Sequence, residues 1–149
     1  MEVKFFKHNI DNEEKSAVLS SLDSEFLTTG PKTREFESNL SHYLHVKYCV
    51  GVSSWTMGNL ITLKALGIGL GDEVITTPMT FIATANTILL AGAKPVFVDV
   101  EKKTGNINIA EIESKITSNT KAILPIHLYG QMCDMIGISK IAKKYNLYV

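Results

Sequence analysis

EVITTPMTFIATANTILLAGAKPVFVDV, residues 73–100, holds two short β-branched runs on either side of a helical one. The spacing predicts a strand over 73–77, a helix over 82–91 stopped by Gly92, and a second strand over 95–100. Two strands with a helix between them cannot close as a hairpin. They make a parallel pair joined by a right-handed crossover. Val96-Phe97-Val98 is apolar without alternation, as expected of a strand covered on both faces.

The same unit recurs on either side. Upstream, 48–52 reads as a short strand and 57–66 as a helix ending near Gly67. Downstream, 109–116 reads as a short helix, 121–125 as a strand and 138–144 as a helix. Leu147-Tyr148-Val149 reads as a strand that has only begun. The N-terminal region differs. Helices are expected over 11–23, with Asp11 and Glu14 at capping-box spacing, and over 33–44, with Phe36, Leu40 and Leu44 on one face. The expectation is a three-layer α/β fold with a mostly parallel sheet, incomplete at its end. Residues 1–46 form a helical segment, and 47–149 form an α/β domain.

Composition narrows the function classes. The 149 residues are 45% hydrophobic and 20% charged with zero formal net charge, which suits a globular domain. Nothing in that balance favours nucleic acid or an anionic membrane as a partner. The first residues lack the apolar stretch and cleavage site of a signal peptide, and no run approaches a membrane span. Cys49 and Cys133 form no CxxC. His8, His42, His45 and His127 lack metal-ligand spacing, so no metal is expected. A cytoplasmic protein with reduced thiols is the expectation.

Ligands of open α/β sheets gather at the carboxyl ends of strands. SSWTMG (53–58) lies at such an end, where hydroxyls and helix-start N–H groups can hold a phosphate, or where Ser53 or Ser54 is simply an N-cap. Phe81 in TFIATAN (80–86) can stack on a flat ring or serve as a core residue. HLYGQ (127–131) brings an imidazole, a phenol and an amide to the next strand end, although a lone His is more often structural. FLTTGP (26–31) is a turn. There is neither a Gly-x-Gly-x-x-Gly nor a Walker lysine.

Five ordered segments resemble the DegT/DnrJ/EryC1/StrS family of pyridoxal-phosphate (PLP) sugar aminotransferases: ALGIGLGDEVI (65–75), TFIATAN, GAKPVFVDV (92–100), TKAI (120–123) and HLYGQ. FLTTGP is similar to the family's substrate loop. The resemblance implies the N-terminal part of a fold type I PLP-transferase large domain. It implies PLP as cofactor, held by Ser54, Trp55, Thr56, Met57 and Phe81, and substrate contacts from Thr29, Gly30, His127 and Tyr129. Trp55 departs from the family, which usually has Gly or Ala there. The implied reaction moves an amino group, usually from glutamate, to a keto group on a nucleotide-linked deoxysugar, in a homodimer.

The family's cofactor lysine and the carboxylate that pairs with the pyridine nitrogen match no residue here. The expectation is therefore a fragment that is inactive alone. Two other readings stay open: a PLP-dependent sugar dehydratase of the same family, and a non-catalytic α/β binding module.

Overall fold

The computed structural model describes residues 6–28 and 30–149. The chain divides into two compact units, one running to Gly51 and one from Val52 onward.

The first unit holds helices α1 (Asn12–Leu22) and α2 (Pro31–Leu44). Asp11 caps α1 as its spacing predicts. Its carboxylate accepts the Glu13 N–H at 2.9 Å, while Glu14 Oε2 accepts the Asp11 N–H at 2.8 Å. Helix α2 starts two residues earlier than its apolar face suggests, because Pro31 suits a first turn whose N–H would be unpaired anyway. No described residue of this unit is buried.

The strand expected over 48–52 does not form. Tyr48, Val50 and Val52 stay exposed, and Gly51 gives its N–H to Glu37 Oε1 at 2.7 Å rather than to a ladder. Alternating β-branched residues create only the capacity for a strand. The ladder needs a neighbouring backbone, and among the described residues none lies alongside.

The second unit is built on a sheet of β1 (Glu73–Thr76), β2 (Lys94–Phe97) and β3 (Thr120–Ile123) in the order β2-β1-β3, with both pairs parallel. Val74 lies opposite Pro95 and Ala122, and Ile75 opposite Val96 and Ile123. Tyr148 adds a parallel bridge on the free side of β3, donating its N–H to Lys121 O and accepting that of Ile123, each at 2.9 Å. The helices are α3 (Trp55–Ala65), α4 (Ala83–Ala91), α5 (Ile109–Ile112) and α6 (Met135–Tyr145). A 3-10 turn, Glu113–Lys115, extends α5.

Successive strand residues face opposite ways. Val74 and Ala122 join Leu63, Ile68, Ile88 and Ala93 in one core, under α3 and α4. Ile75 and Ile123 join Val98, Ile107, Ile112, Ile138 and Ile141 in the other, under α5 and α6. That is the three-layer arrangement expected. Each fully buried isoleucine contributes about 1.5–3 kcal/mol, so the two cores dominate the stability of this unit.

Helix ends repeat one device. After α3, Gly67 takes φ 73°, its N–H reaches Lys64 O, and the Ile68 N–H reaches Leu63 O, both at 3.0 Å. After α4, Gly92 takes φ 94°, and the Ala93 N–H reaches Ile88 O at 3.0 Å. In both turns the two residues joined by the longer bond meet again in the same core. This is the Schellman stop with its hydrophobic contact.

Candidate functional site

From β1 the chain crosses through α4 to β2 on one side, then returns through α5 to β3 on the other. Right-handed crossovers in opposite directions put their helices on opposite faces. The segments leaving β1 and β3 therefore diverge, and a crevice opens between the two carboxyl ends. A cavity of about 410 Å³ lies there, lined by Trp55 from the start of α3, by Thr80, Phe81 and Thr84 after β1, and by residues 124–129 after β3. Its size falls within the roughly 300–1,000 Å³ usual for small-molecule sites.

Hydroxyls fix the β1 side. The Thr80 and Thr84 hydroxyls share a 2.7 Å hydrogen bond, and Thr84 is buried. Thr87 Oγ1 accepts from Asn59 Nδ2 at 2.6 Å and donates to Thr84 O at 3.1 Å, tying α3 to α4. Phe81 belongs to neither core; the residue is 77% exposed and lines the cavity.

Helix α3 begins where Ser54, in extended conformation, accepts the Met57 N–H on its hydroxyl at 3.2 Å. The N–H groups of Trp55 and Thr56 have no partner among the described residues, the usual state of a first helical turn. Two free N–H donors and the Thr56 hydroxyl, at the positive end of a helix, form a donor set suited to a phosphate. Trp55 is on the cavity lining, whereas Ser54, Thr56 and Met57 flank it and are not.

The β3 side is held from a distance. Leu124 donates its N–H to Ile75 O at 2.7 Å and accepts from the Thr76 hydroxyl at 2.9 Å, so the two strand ends are joined at the crevice floor. His127 Nδ1 accepts the Cys133 N–H at 3.2 Å. That bond puts the proton of the neutral ring on Nε2, which leaves Nε2–H as a donor. The Cys133 thiol donates to Ile126 O at 3.1 Å, and burial pushes its pKa up, so it acts as a structural thiol. Tyr129 takes φ 52°, an uncommon left-handed conformation for an aromatic residue, and its side chain is exposed on the lining.

Asn106, 4% exposed, organises this segment. Its Nδ2 donates to Gln131 O and Met132 O, both at 3.1 Å, and its Oδ1 accepts the Leu128 N–H at 3.2 Å. Three features that hold the site are not among the sequence-derived candidates: Asn106, Cys133 as a partner of His127, and the Thr80–Thr84 pair. Only the two threonines carried a signal, since they sit inside the TFIATAN segment.

The structure thus brings Trp55, Phe81, His127 and Tyr129 to one cavity. Gly30 lines a cavity of about 330 Å³ in the first unit, with Phe26, Thr28, Pro31 and Arg34. A Cβ at Gly30 would stand 2.8 Å from Phe26 O, so that close approach needs glycine. Thr29 lies outside the described residues.

Comparison with known proteins fits this geometry. The chain is 44% identical over 140 residues to the spore coat polysaccharide biosynthesis protein SpsC of Bacillus subtilis, covering 94% of this chain and 36% of that protein. It superposes on the crystal structure of NtdA from B. subtilis with bound cofactor PMP at a TM-score of 0.86, with 43% identity, 93% of this chain and 33% of that one. It superposes on Helicobacter pylori PseC, an aminotransferase involved in the biosynthesis of pseudoaminic acid, at 0.85, with 36% identity, 93% of this chain and 38% of that one. The chain spans about a third of the length of the curated relatives it matches, 37%, 36% and 32% of the first three. The family model for the DegT/DnrJ/EryC1/StrS aminotransferases matches residues 8–149, the whole sheet and every segment that lines the crevice. The chain belongs to that family.

Proposed function

We propose that this chain carries the ring and phosphate end of the PLP site in an aminotransferase, one that transfers an amino group from glutamate to a keto group on a nucleotide-linked deoxysugar. Residues 47–149 belong to the cofactor-binding large domain, and 1–46 form the helical segment with the substrate loop. The full enzyme works as a cytoplasmic homodimer. The observation that carries the reading is the convergence of Trp55, Phe81, His127 and Tyr129 on one crevice, beside a helix start with unpaired N–H donors.

The roles follow from the atoms. The Trp55 and Thr56 N–H groups and the Thr56 hydroxyl hold the phosphate, with Ser54 and Met57 keeping the turn in shape. Phe81 offers its open face to the pyridine ring. Bound there, PLP supplies the electron sink that amino-group transfer requires. His127 and Tyr129 line the cavity, and their Nε2–H and hydroxyl are the donors available for substrate oxygens; Gly30 with Thr29 belongs to the substrate loop. None of the cavity's lining residues is a lysine, so these residues bind and orient but supply no amine for proton transfer.

The test is equilibrium binding of PLP by the 149-residue chain and its Phe81→Ala variant, together with turnover of a ketosugar. Binding that Phe81→Ala weakens about tenfold, with no turnover by either, is the expected result. Equal binding by the two proteins would remove Phe81 from the site. Conversion of a ketosugar by the chain alone would overturn the division of labour.

A further inference from the structure

We infer that Trp55 is a second aromatic wall of this cavity, so that a flat phosphate-bearing ring is held in contact with both Trp55 and Phe81. This rests on the cofactor reading above and gives the Trp55 side chain a part of its own.

Trp55 is the first residue of α3, and helical side chains lean toward the helix N-terminus. The indole therefore projects over the turn whose N–H groups point out unpaired. It is 52% exposed, packs into neither core, and lines the same cavity as Phe81. No ring contact involves either Trp55 or Phe81 among the described residues, so the two aromatic surfaces share one cavity without touching. The volume of about 410 Å³ is what remains with the indole in place, so the indole borders the site rather than filling it.

The hydrogen bond from Asn59 to Thr87 anchors α3 to α4, whose first turn follows Phe81. The wall is therefore carried by a fixed element. An aromatic surface beside an anion site also excludes water and adds ring contact to phosphate binding. The cavity then distinguishes a ring that bears a phosphate from phosphate alone.

Trp55 is the sole tryptophan of the chain, which makes its emission a direct reporter of the cavity. The probe is pyridoxamine 5′-phosphate, which has the ring and the phosphate but no aldehyde to react with surface lysines. Equilibrium dialysis, read from the ligand's own absorbance, is run on the wild-type chain, Trp55→Phe and Trp55→Ala. Circular dichroism checks that each is folded.

The expected result is saturable quenching of Trp55 emission with the same midpoint as dialysis. Trp55→Ala should bind about tenfold more weakly, the size of losing one aromatic stacking surface, and Trp55→Phe within about threefold. Inorganic phosphate should show the same affinity in all three proteins, because its donors are two backbone N–H groups and the Thr56 hydroxyl, which none of the substitutions removes. Wild-type binding that Trp55→Ala leaves unchanged, or quenching that does not track occupancy, overturns the role of Trp55 while the cofactor site stands. A wild-type chain that takes up no pyridoxamine phosphate in dialysis overturns both.

Discussion

Replacing Asn106 should loosen one lip of the crevice, and the cost can be worked from its bonds. The side chain is buried and makes three hydrogen bonds to the backbone of 128–132, at 3.1, 3.1 and 3.2 Å. Asn106→Ala deletes all three and leaves the Leu128 N–H and the Gln131 and Met132 carbonyls without that partner. A typical hydrogen bond nets about 0.5–1.5 kcal/mol, and a polar group left buried and unpaired costs about 1–3 kcal/mol. The segment lies near the surface, where Gln131 and Met132 are exposed, so water repairs part of the loss. The balance is about 2–3 kcal/mol, a large share of the 5–15 kcal/mol typical of a domain.

The loss should be local as well as global. His127 and Cys133 bracket the stapled segment, so amide exchange over 126–133 should rise in Asn106→Ala while β1 keeps its protection. Asn106→Asp separates the terms. A carboxylate still accepts from Leu128 but meets two carbonyl oxygens with no proton to give, so it should destabilise at least as much as alanine at neutral pH. Urea unfolding gives the free energy, and exchange with mass spectrometry locates it. A loss below about 1 kcal/mol with unchanged exchange over 126–133 would refute the stapling role.

Ser54→Ala should cost about 1 kcal/mol by removing the α3 cap, measured by urea unfolding, and Ser54→Thr should restore most of it. Gly92→Ala should destabilise by about 1–2 kcal/mol, because φ is 94° and the new Cβ would press the Leu70 backbone at 3.3 Å; a melting temperature equal to wild type would contradict this. Glu73 is held below the usual carboxylate range by the Thr117 hydroxyl at 2.6 Å and then by Lys94 at 2.9 Å. A lowered pKa in the folded state means stabilisation present above the unfolded value of about 4.3 and lost as pH falls through the folded one. Thr117→Val should raise the Glu73 pKa and move the acid limb of a stability–pH curve upward; an unmoved limb would show that Thr117 contributes nothing there.

The parts of the fold legible in the sequence were those set locally. Asp11 and Glu14 form their capping box, and Gly67 and Gly92 stop their helices, because these devices reach only a few residues along the chain. The alternation of strands and helices carried the parallel sheet for the same reason. Ser54, one of the two N-cap candidates in the sequence, does cap α3, which starts at Trp55, two residues before the periodicity places it; α6 starts at Met135 behind Asp134, a cap with no sequence signal, whose carboxylate accepts the Gly137 N–H at 2.9 Å. The run at 48–52 failed because strand pairing is a property of two segments, and the sequence of one shows only propensity. In the site, TFIATAN and HLYGQ pointed to Phe81, His127 and Tyr129 through family resemblance. Asn106 gave no signal, since a buried asparagine 22 to 26 residues from its partners looks like any loop asparagine.

The strand order β2-β1-β3 explains why residues so far apart in sequence share one cavity. Any chain that leaves β1 to one side and returns to the other must open a gap between those two strand ends, whatever side chains it carries. What this sequence adds is the means of holding the gap at fixed width. Thr76 and Ile75 bind Leu124 across the floor. The Thr80–Thr84 pair fixes one lip, and Asn106 with Cys133 fixes the other. All of these bonds are internal to the protein and need no ligand to form. A cavity held this way is preformed, so little ordering cost is charged against binding, and a flat ring gains nearly the whole of its contact with Phe81 and Trp55. Were the lips instead ordered by the ligand, the Asn106 bonds would form only on binding, and Asn106→Ala would lose their full value of about 2–3 kcal/mol, roughly 30- to 150-fold, in affinity for pyridoxamine phosphate. In a preformed crevice the bonds are present in the free and the bound protein alike, so the folded variant should lose clearly less affinity than it loses unfolding free energy.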